Sequence, residues 1–526
     1  MPDGSARLLL ILGDQLDRRI LDWLDYVPDR DRVAMFEVAE EATHVPSHKA
    51  RTALFLSAMR HFARRLEDDH EALEVHYVAL DDADNSGSFA GELQRFAAAH
   101  HPAAEIDTLV VLRPGEHRVL ASLEAAANAL GWRIDLREDP RFYTTPDDFT
   151  AWADGRKELV LEYFYREQRK RFGILMDDGS PTGGDWNYDA QNREALRDDA
   201  PKIPPRLSFE PDEVTREVFE VVESTFPDAP GSLDSFGWPV TREQALEALD
   251  HFLEHRLPNF GTYQDAMRRG EPWLWHSLLS PALNLGLIDP REAVDGALAR
   301  YEDDAAPLNA VEGFVRQILG WREFIRGVYW HQGADYADRN HLEADTELPS
   351  IYWTGDTEME CMRQSLGQVH EHGYGHHIQR LMVTGLFALQ LGVVPRQVAD
   401  WYLGLYVDGV DWVTLPNTVG MVLYADGGVV GTKPYAATGK YIRRMSDYCG
   451  ACPFDPDQRT GDEACPFSTL YWDFLMRQRD RLEGNRRIGF VWRNVDRLDE
   501  TEQHAIGSRA DAIRARLDAG EPLTPG

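Results

Sequence analysis

Five short apolar runs lie between residues 7 and 139: RLLLIL (7–12), RVAMFEV (32–38), EVHYVAL (74–80), TLVVLR (108–113) and WRIDLRED (132–139). They alternate with amphipathic stretches such as KARTALFLSAMRHFARRLED. Strand and helix in strict alternation make each strand parallel to its neighbour, because a crossover helix carries the chain back to the edge it started from. The spacing predicts a doubly wound parallel sheet. In such sheets ligands sit at the carboxyl ends of the strands, and LGDQL directly after the first run puts Asp14 there. No G-x-G-x-x-G follows, so a conventional dinucleotide site is not expected.

At 526 residues the chain exceeds what one core supports. From 136 to 240 the pattern turns irregular and rich in Pro, Gly and Asp, with one helix-like stretch at 157–176. Beyond 241 amphipathic helical segments dominate, among them LNAVEGFVRQILGWREFIRGVYW and GHHIQRLMVTGLFALQLG. The expected organisation is an α/β domain over 1–135, a connector over 136–240 and an all-helical domain over 241–526. No run of about 18 apolar residues and no signal-like start are present, so a soluble cytoplasmic protein is expected.

The formal charge of −34 argues against broad phosphate binding, which needs clustered cations. Only six of the 55 basic residues are lysine against 89 acids, a balance suited to a solvated acidic surface. A local groove built from arginine is compatible with that surface.

Several motifs offer chemistry beside a plainer reading. HSLLSPALNLG places His276, Ser277 and Ser280 at a helix start, where free N–H groups and hydroxyls suit either a diphosphate or ordinary capping. GWREFIRGVYW carries Trp321 and Arg322, suited to base stacking and phosphate contact or to a packed helix. HEHGYGHHIQRL lacks the acid of a metalloprotease helix, yet the pair His376–His377 offers a proton donor near neutral pH. DWYLGLYVDGVDWVTLPNTVGM brings Trp401, Tyr402, Asp408 and Asn417, in an aromatic stripe of the kind that usually packs a core. The four cysteines, Cys361, Cys449, Cys452 and Cys465, form a set suited to zinc or an iron–sulfur cluster. The following Pro466 and the separation of Cys361 from the other three favour the cluster.

Together these motifs resemble the photolyase/cryptochrome superfamily, and within it the iron–sulfur branch of bacterial and archaeal (6-4) photolyases. DDADNSGSF, EYFYRE, PLNAVEGFVRQILGWRE, HHIQRLM, ADGG and GTKPYAATGKYIRRMSDYC carry the likeness, and cysteine spacings of 88, 3 and 13 are its most specific element. The resemblance implies FAD against His276, Ser277, Leu279 and Ser280, with Arg380 and Asp408 beside its ring system and Asn417 near its reactive nitrogen. It implies a [4Fe-4S] cluster on the four cysteines and an electron route through Trp401, Tyr402 and Trp353. It further implies a 6,7-dimethyl-8-ribityllumazine antenna near Asp14 and Glu41. The expected activity is light-driven repair of (6-4) photoproducts in UV-damaged DNA by a monomer. His377 is then the proton donor, with His376 beside it, Trp321 and Tyr435 as walls of the lesion pocket, and Arg322 on a phosphate.

The likeness has departures: Leu381 replaces a second histidine, Leu386 an expected Asn, Val410 an expected Tyr, and His44 an aromatic residue near the antenna. A cryptochrome-like blue-light photoreceptor is the alternative, since the same flavin and aromatic route would serve it. An iron–sulfur nucleic-acid protein without flavin is a third class.

Overall fold

Side chains along a strand point alternately to opposite faces, and the RLLLIL run uses both. Leu8, Leu10 and Leu12 enter one buried cluster while Leu9 and Ile11 enter another, so the first strand is covered on both sides. The computed structural model describes residues 6–71, 73–100, 106–197 and 199–525. In it β1 (Ala6–Leu10), β2 (Asp31–Phe36), β3 (Val75–Val78), β4 (Ile106–Leu112) and β5 (Arg133–Arg137) form one parallel sheet in the order β3-β2-β1-β4-β5. The doubly wound sheet expected from the alternating runs is therefore present. The order reverses between β1 and β4, and Asp14 and Gly115 follow those two strands at this switch point.

Three crossover helices cover the sheet: α1 (Lys49–Asp69), α2 (Phe89–His100) and α3 (His117–Leu130). Phe89, Leu93, Phe96, Val119 and Leu123 pack on one face. On the other, Leu9, Val33, Met35 and Val110 join Leu54 and Phe62 of α1 in a core that continues to Leu249, Phe314 and Leu319. The sheet is thus seated on the helical part through shared apolar contacts.

Between them lie α4 (Leu161–Phe172), inside the stretch predicted as helical, and α5 (Glu213–Thr225). The helical part includes α6 (Ser280–Leu285), α7 (Glu323–Gln332), α8 (Glu360–His372), α9 (Pro395–Leu405), α10 (Pro466–Arg477) and α11 (Glu500–Asp518). A second large core, from Phe142 to Leu523, fills it. Among the described residues no helix is long and apolar enough to cross a membrane.

The seam between the two parts depends on close backbone approach. A Cβ on Gly404 of α9 would stand 2.1 Å from the Pro46 carbonyl oxygen, and the Gly404 carbonyl accepts the His48 N–H at 2.9 Å. Neither chain can yield without breaking that bond. Gly404→Ala is expected to cost about 1–3 kcal/mol, read as a lower urea midpoint with unchanged slope. An unchanged midpoint would contradict this account of the seam.

Candidate functional site

The HSLLSPALNLG segment enters α6 through a strained approach. Leu274 and Leu278 have φ of 41° and 59°, in the left-handed region that leucine rarely adopts, on either side of His276 and Ser277. The Ser277 hydroxyl accepts the Leu279 N–H at 3.4 Å, and Leu279 is buried. From the first turn of α6, the Ser280 hydroxyl donates to Asp408 Oδ2 at 2.7 Å. Arg380 Nη2 lies 3.0 Å from both Asp408 oxygens, and its Nε donates to the Gly375 carbonyl at 2.6 Å. Burial lowers the Arg380 pKa, but Asp408 overcomes it and the net shift is upward. The His276 ring stacks on His376 at 4.4 Å, and burial drives both well below the usual histidine range, His276 to about 3.

Two buried ring nitrogens in this group, His276 Nε2 and His376 Nδ1, lack a hydrogen-bond partner, and Asp408 Oδ1 meets Arg380 only as an ion pair without an aligned hydrogen bond. Unsatisfied buried groups are costly, and several in one place are what a polar ligand would satisfy. Asn417 lies nearby in sequence on the π-helical segment Pro416–Val422 and donates to the Val413 carbonyl. His377 faces solvent and begins the turn His377–Gln379; the surrounding protein and Arg380 lower its pKa, so its ring is neutral at pH 7.

Behind Arg380 runs a line of aromatic rings. Tyr406 lies 3.7 Å from the guanidinium, Tyr402 is 5.3 Å from Tyr406, Trp401 is 5.4 Å from Tyr402, and Tyr352 is 5.4 Å from Trp401. Trp353, next to Tyr352, is 41% exposed. Tyr352 and Tyr406 were not picked out from sequence, because buried tyrosines at helical spacing read as core.

The residues expected at a substrate face divide. Tyr435 is 36% exposed; burial raises its pKa, with Arg193, Asp189 and Arg487 as the charges acting on it, and burial likewise raises Tyr441, with Asp265, Arg444 and Arg193 acting there. Trp321 is half-buried and packs edge-on to Phe324 at 6.1 Å. Arg322 corrects the sequence reading. Only 8% exposed, it lies 3.9 Å over the Phe142 ring and 5.2 Å from Trp412, with Glu323 as its acid, so its charge is spent inside the protein. Arg193, Arg444 and Arg487 act electrostatically on these two tyrosines and carry no motif in the sequence.

At the sheet's switch point Asp14, Glu41, Glu116, Arg51 and Val410 line a cleft, with Phe36 and Phe55 among its apolar walls. Asp14 accepts the Gly115 N–H at 3.0 Å, Glu41 accepts from Arg118 at 2.7 Å, and His44 stands 4.0 Å from Glu116. Burial pushes Asp14 up to about 6 and Glu41 up to about 7. An acid raised in the fold binds more protons there than in the unfolded chain between pH 4 and 6, so its stability contribution is full below pH 4 and is lost as pH rises. Asp14→Asn is expected to raise stability by about 1–3 kcal/mol at pH 8 and to leave it unchanged at pH 4. Equal thermal shifts at both pH values would rule this out.

The four cysteines are free and line one small pocket with Met359, Ile442, Tyr448 and Phe467. Cys361 comes from the start of α8, Cys465 precedes α10, and Cys449 and Cys452 lie in the turn between. Burial raises Cys449 to about 11 and Cys465 to about 12, and Cys361 rises further with the other thiols adding to the effect. Among the described residues no three His, Cys, Asp or Glu side chains converge closely enough to hold a single metal ion; the thiols stand around a shared space.

A family profile described as deoxyribodipyrimidine photo-lyase-related protein matches residues 9–238. The chain is 48% identical over 517 residues to a (6-4) photolyase of Agrobacterium fabrum, covering 98% of this chain and all of that protein. A cryptochrome DASH of Ostreococcus tauri is 23% identical over 237 residues, 41% of this chain and 42% of that one. Among solved structures, a bacterial class III photolyase from Agrobacterium tumefaciens matches with TM-score 0.56 and 16% identity over 99% and 98% of the two chains. A cryptochrome of Synechocystis matches with TM-score 0.53 and 14% identity over 98% and 100%. These two share the fold. With its parallel sheet seated on a helical part, and identity of this degree over the whole length of a relative, the chain belongs to the photolyase/cryptochrome family.

Proposed function

We propose that the protein is a light-driven (6-4) photolyase that takes the linked pyrimidine pair of UV-damaged DNA into a pocket beside His377 and returns two separate bases. The observation that carries this reading is the 48% identity along the full length of a (6-4) photolyase. A damaged pair cannot be reached inside the duplex, and its broken pairing lowers the cost of flipping it out.

The group of unsatisfied polar atoms around His276, His376 and Asp408 fits FAD: a helix start with two hydroxyls for the diphosphate, and a buried Arg380–Asp408 pair for the ring system. Held there in its reduced form, FAD would supply light-driven electron transfer to the lesion and back. The protein's own part is position and a proton. His377, neutral in the free protein and exposed at the head of its turn, takes up a proton from water beside the anionic strand of the bound lesion, gives it to the hydroxyl or amino group that migrates between the bases, and returns to the neutral ring. Tyr435 and Trp321 form walls of the pocket, and Arg193, Arg444 and Arg487 replace Arg322 as phosphate contacts. Trp401 and Tyr402, with Tyr352 and surface-exposed Trp353, serve as the path by which the flavin site is reduced from outside.

The thiol site fits a [4Fe-4S] cluster by its donor set, four free thiols facing one space with largely apolar walls. The switch-point cleft fits a ribityllumazine: aromatic walls for a flat heterocycle, and Asp14 and Glu41 as acceptors for a hydroxylated chain.

The test is direct. The loaded, reduced protein mixed with an oligonucleotide containing a (6-4) thymine pair should restore two thymines under blue light and none in the dark. Its absorption should combine flavin bands with a broad brown shoulder. Tight binding of the damaged strand without restoration in light would overturn the assignment.

A further inference from the structure

Among the described residues no hydrogen bond fixes the ring of His377, so its place depends on the turn that carries it. That turn is held by a buried side chain. Gln379 Oε1 accepts the His376 N–H at 3.1 Å and Gln368 Nε2 at 3.1 Å. Gln379 Nε2 donates to Gln368 Oε1 at 2.9 Å and to Tyr448 Oη at 3.3 Å. Gln379 is 3% exposed and Tyr448 1%, so neither bond has competition from water.

Both supports of Gln379 come from thiol-bearing segments. Gln368 belongs to α8, two turns after Cys361 and on the same face of that helix. Tyr448 immediately precedes Cys449, and its ring forms part of the wall of the thiol cavity. We propose that Gln379, tied to Gln368 and Tyr448, transmits the placement of the thiol cavity to the His376–His377 turn, making Gln379 and Tyr448 positioning residues for the proton donor. The inference rests on the functional reading above. It gives the cysteine set a purpose in the repair site: whatever fixes the distance between Cys361 and Cys449 also fixes the two groups that clasp Gln379. Neighbouring bonds extend the same clasp, since Arg269 N–H donates to Asp447 at 2.8 Å and Gly270 N–H to Gln364 of α8 at 3.1 Å.

The experiment uses the full-length loaded protein with isotope-labelled histidine, reading the His377 ring resonances in the dark and repair in the light. Tyr448→Phe keeps the ring against the thiols and removes only the hydroxyl. It is expected to move the His377 resonances and to slow repair about 3–10-fold, with iron and flavin contents unchanged. Gln379→Met is expected to slow repair about 10–100-fold. Because the two residues share one bond, the double variant should be no worse than Gln379→Met alone. If Gln379→Met fails to fold, Tyr448→Phe decides. Unmoved His377 resonances in Tyr448→Phe, or fully additive effects, would overturn the proposal. A wild-type protein without repair, whose His377 resonances still move in Tyr448→Phe, would overturn the repair reading and leave this link standing.

Discussion

His377→Ala is expected to lower light-driven repair by about 10²–10⁴-fold, the usual contribution of a positioned general acid, while flavin content, iron content and thermal stability stay as they are. The separation of effects follows from where the ring sits. His377 faces solvent and no hydrogen bond to its ring is present among the described residues, so truncation opens no cavity and leaves no buried group unpaired. The adjacent His376 gives the contrast. It is 3% exposed, stacked on His276 and surrounded by the unsatisfied atoms assigned to the cofactor, so His376→Ala should lose flavin and stability together. The measurements are thymine recovery under blue light, the flavin-to-protein absorbance ratio and a melting curve for each variant. Repair by His377→Ala within a factor of about two of wild type would remove His377 from the mechanism.

How far the sequence foretold this arrangement depends on what kind of signal each part leaves. The sheet was legible because strands covered on both faces must be apolar without interruption, and β1, β2 and β4 fall within the runs RLLLIL, RVAMFEV and TLVVLR or directly beside them. The meeting of Ser280, Arg380 and Asp408 joins residues up to 128 positions apart, and only the likeness to a family suggested two of them as a pair. Arg322 was misread because an arginine beside a tryptophan in a helix has the same pattern whether it faces a phosphate or lies over a buried phenylalanine. Its burial is decided by Phe142 and Trp412, from segments far away in sequence. A further layer left no trace: the π-helical segments Arg316–Arg322, Arg380–Thr384 and Pro416–Val422 widen their helices where Trp321, Arg380 and Asn417 stand. Such widening is frequent at functional positions and also occurs at Phe252–Arg256, and it arises from tertiary packing and not from local propensity.

Cys361→Ala is the change expected to reach furthest through the structure. The other three thiols lie within residues 449–465, so they can gather by local turns; Cys361 alone joins that segment to α8, across 88 residues of chain. A tie across a loop of that size is worth about 4–5 kcal/mol if it acts as other cross-links do, by restricting the unfolded chain. Without an occupant the cavity offers nothing to replace it, since burial keeps the Cys449 and Cys465 thiols protonated, near 11 and 12, and uncharged thiols in an apolar pocket attract neither each other nor water. Filling the cavity requires those protons to leave, so occupancy should weaken as the pH falls. The variant is expected to be isolated with almost no iron, without the brown shoulder, and with a urea midpoint lowered in proportion to the lost tie. Repair should fall even where flavin remains, because α8 also carries Gln368 toward Gln379 and the histidine turn. Wild-type iron content in Cys361→Ala would break the assignment of the ligand set. Loss of iron with an unchanged midpoint would instead leave the cysteines as an electron site without a structural task.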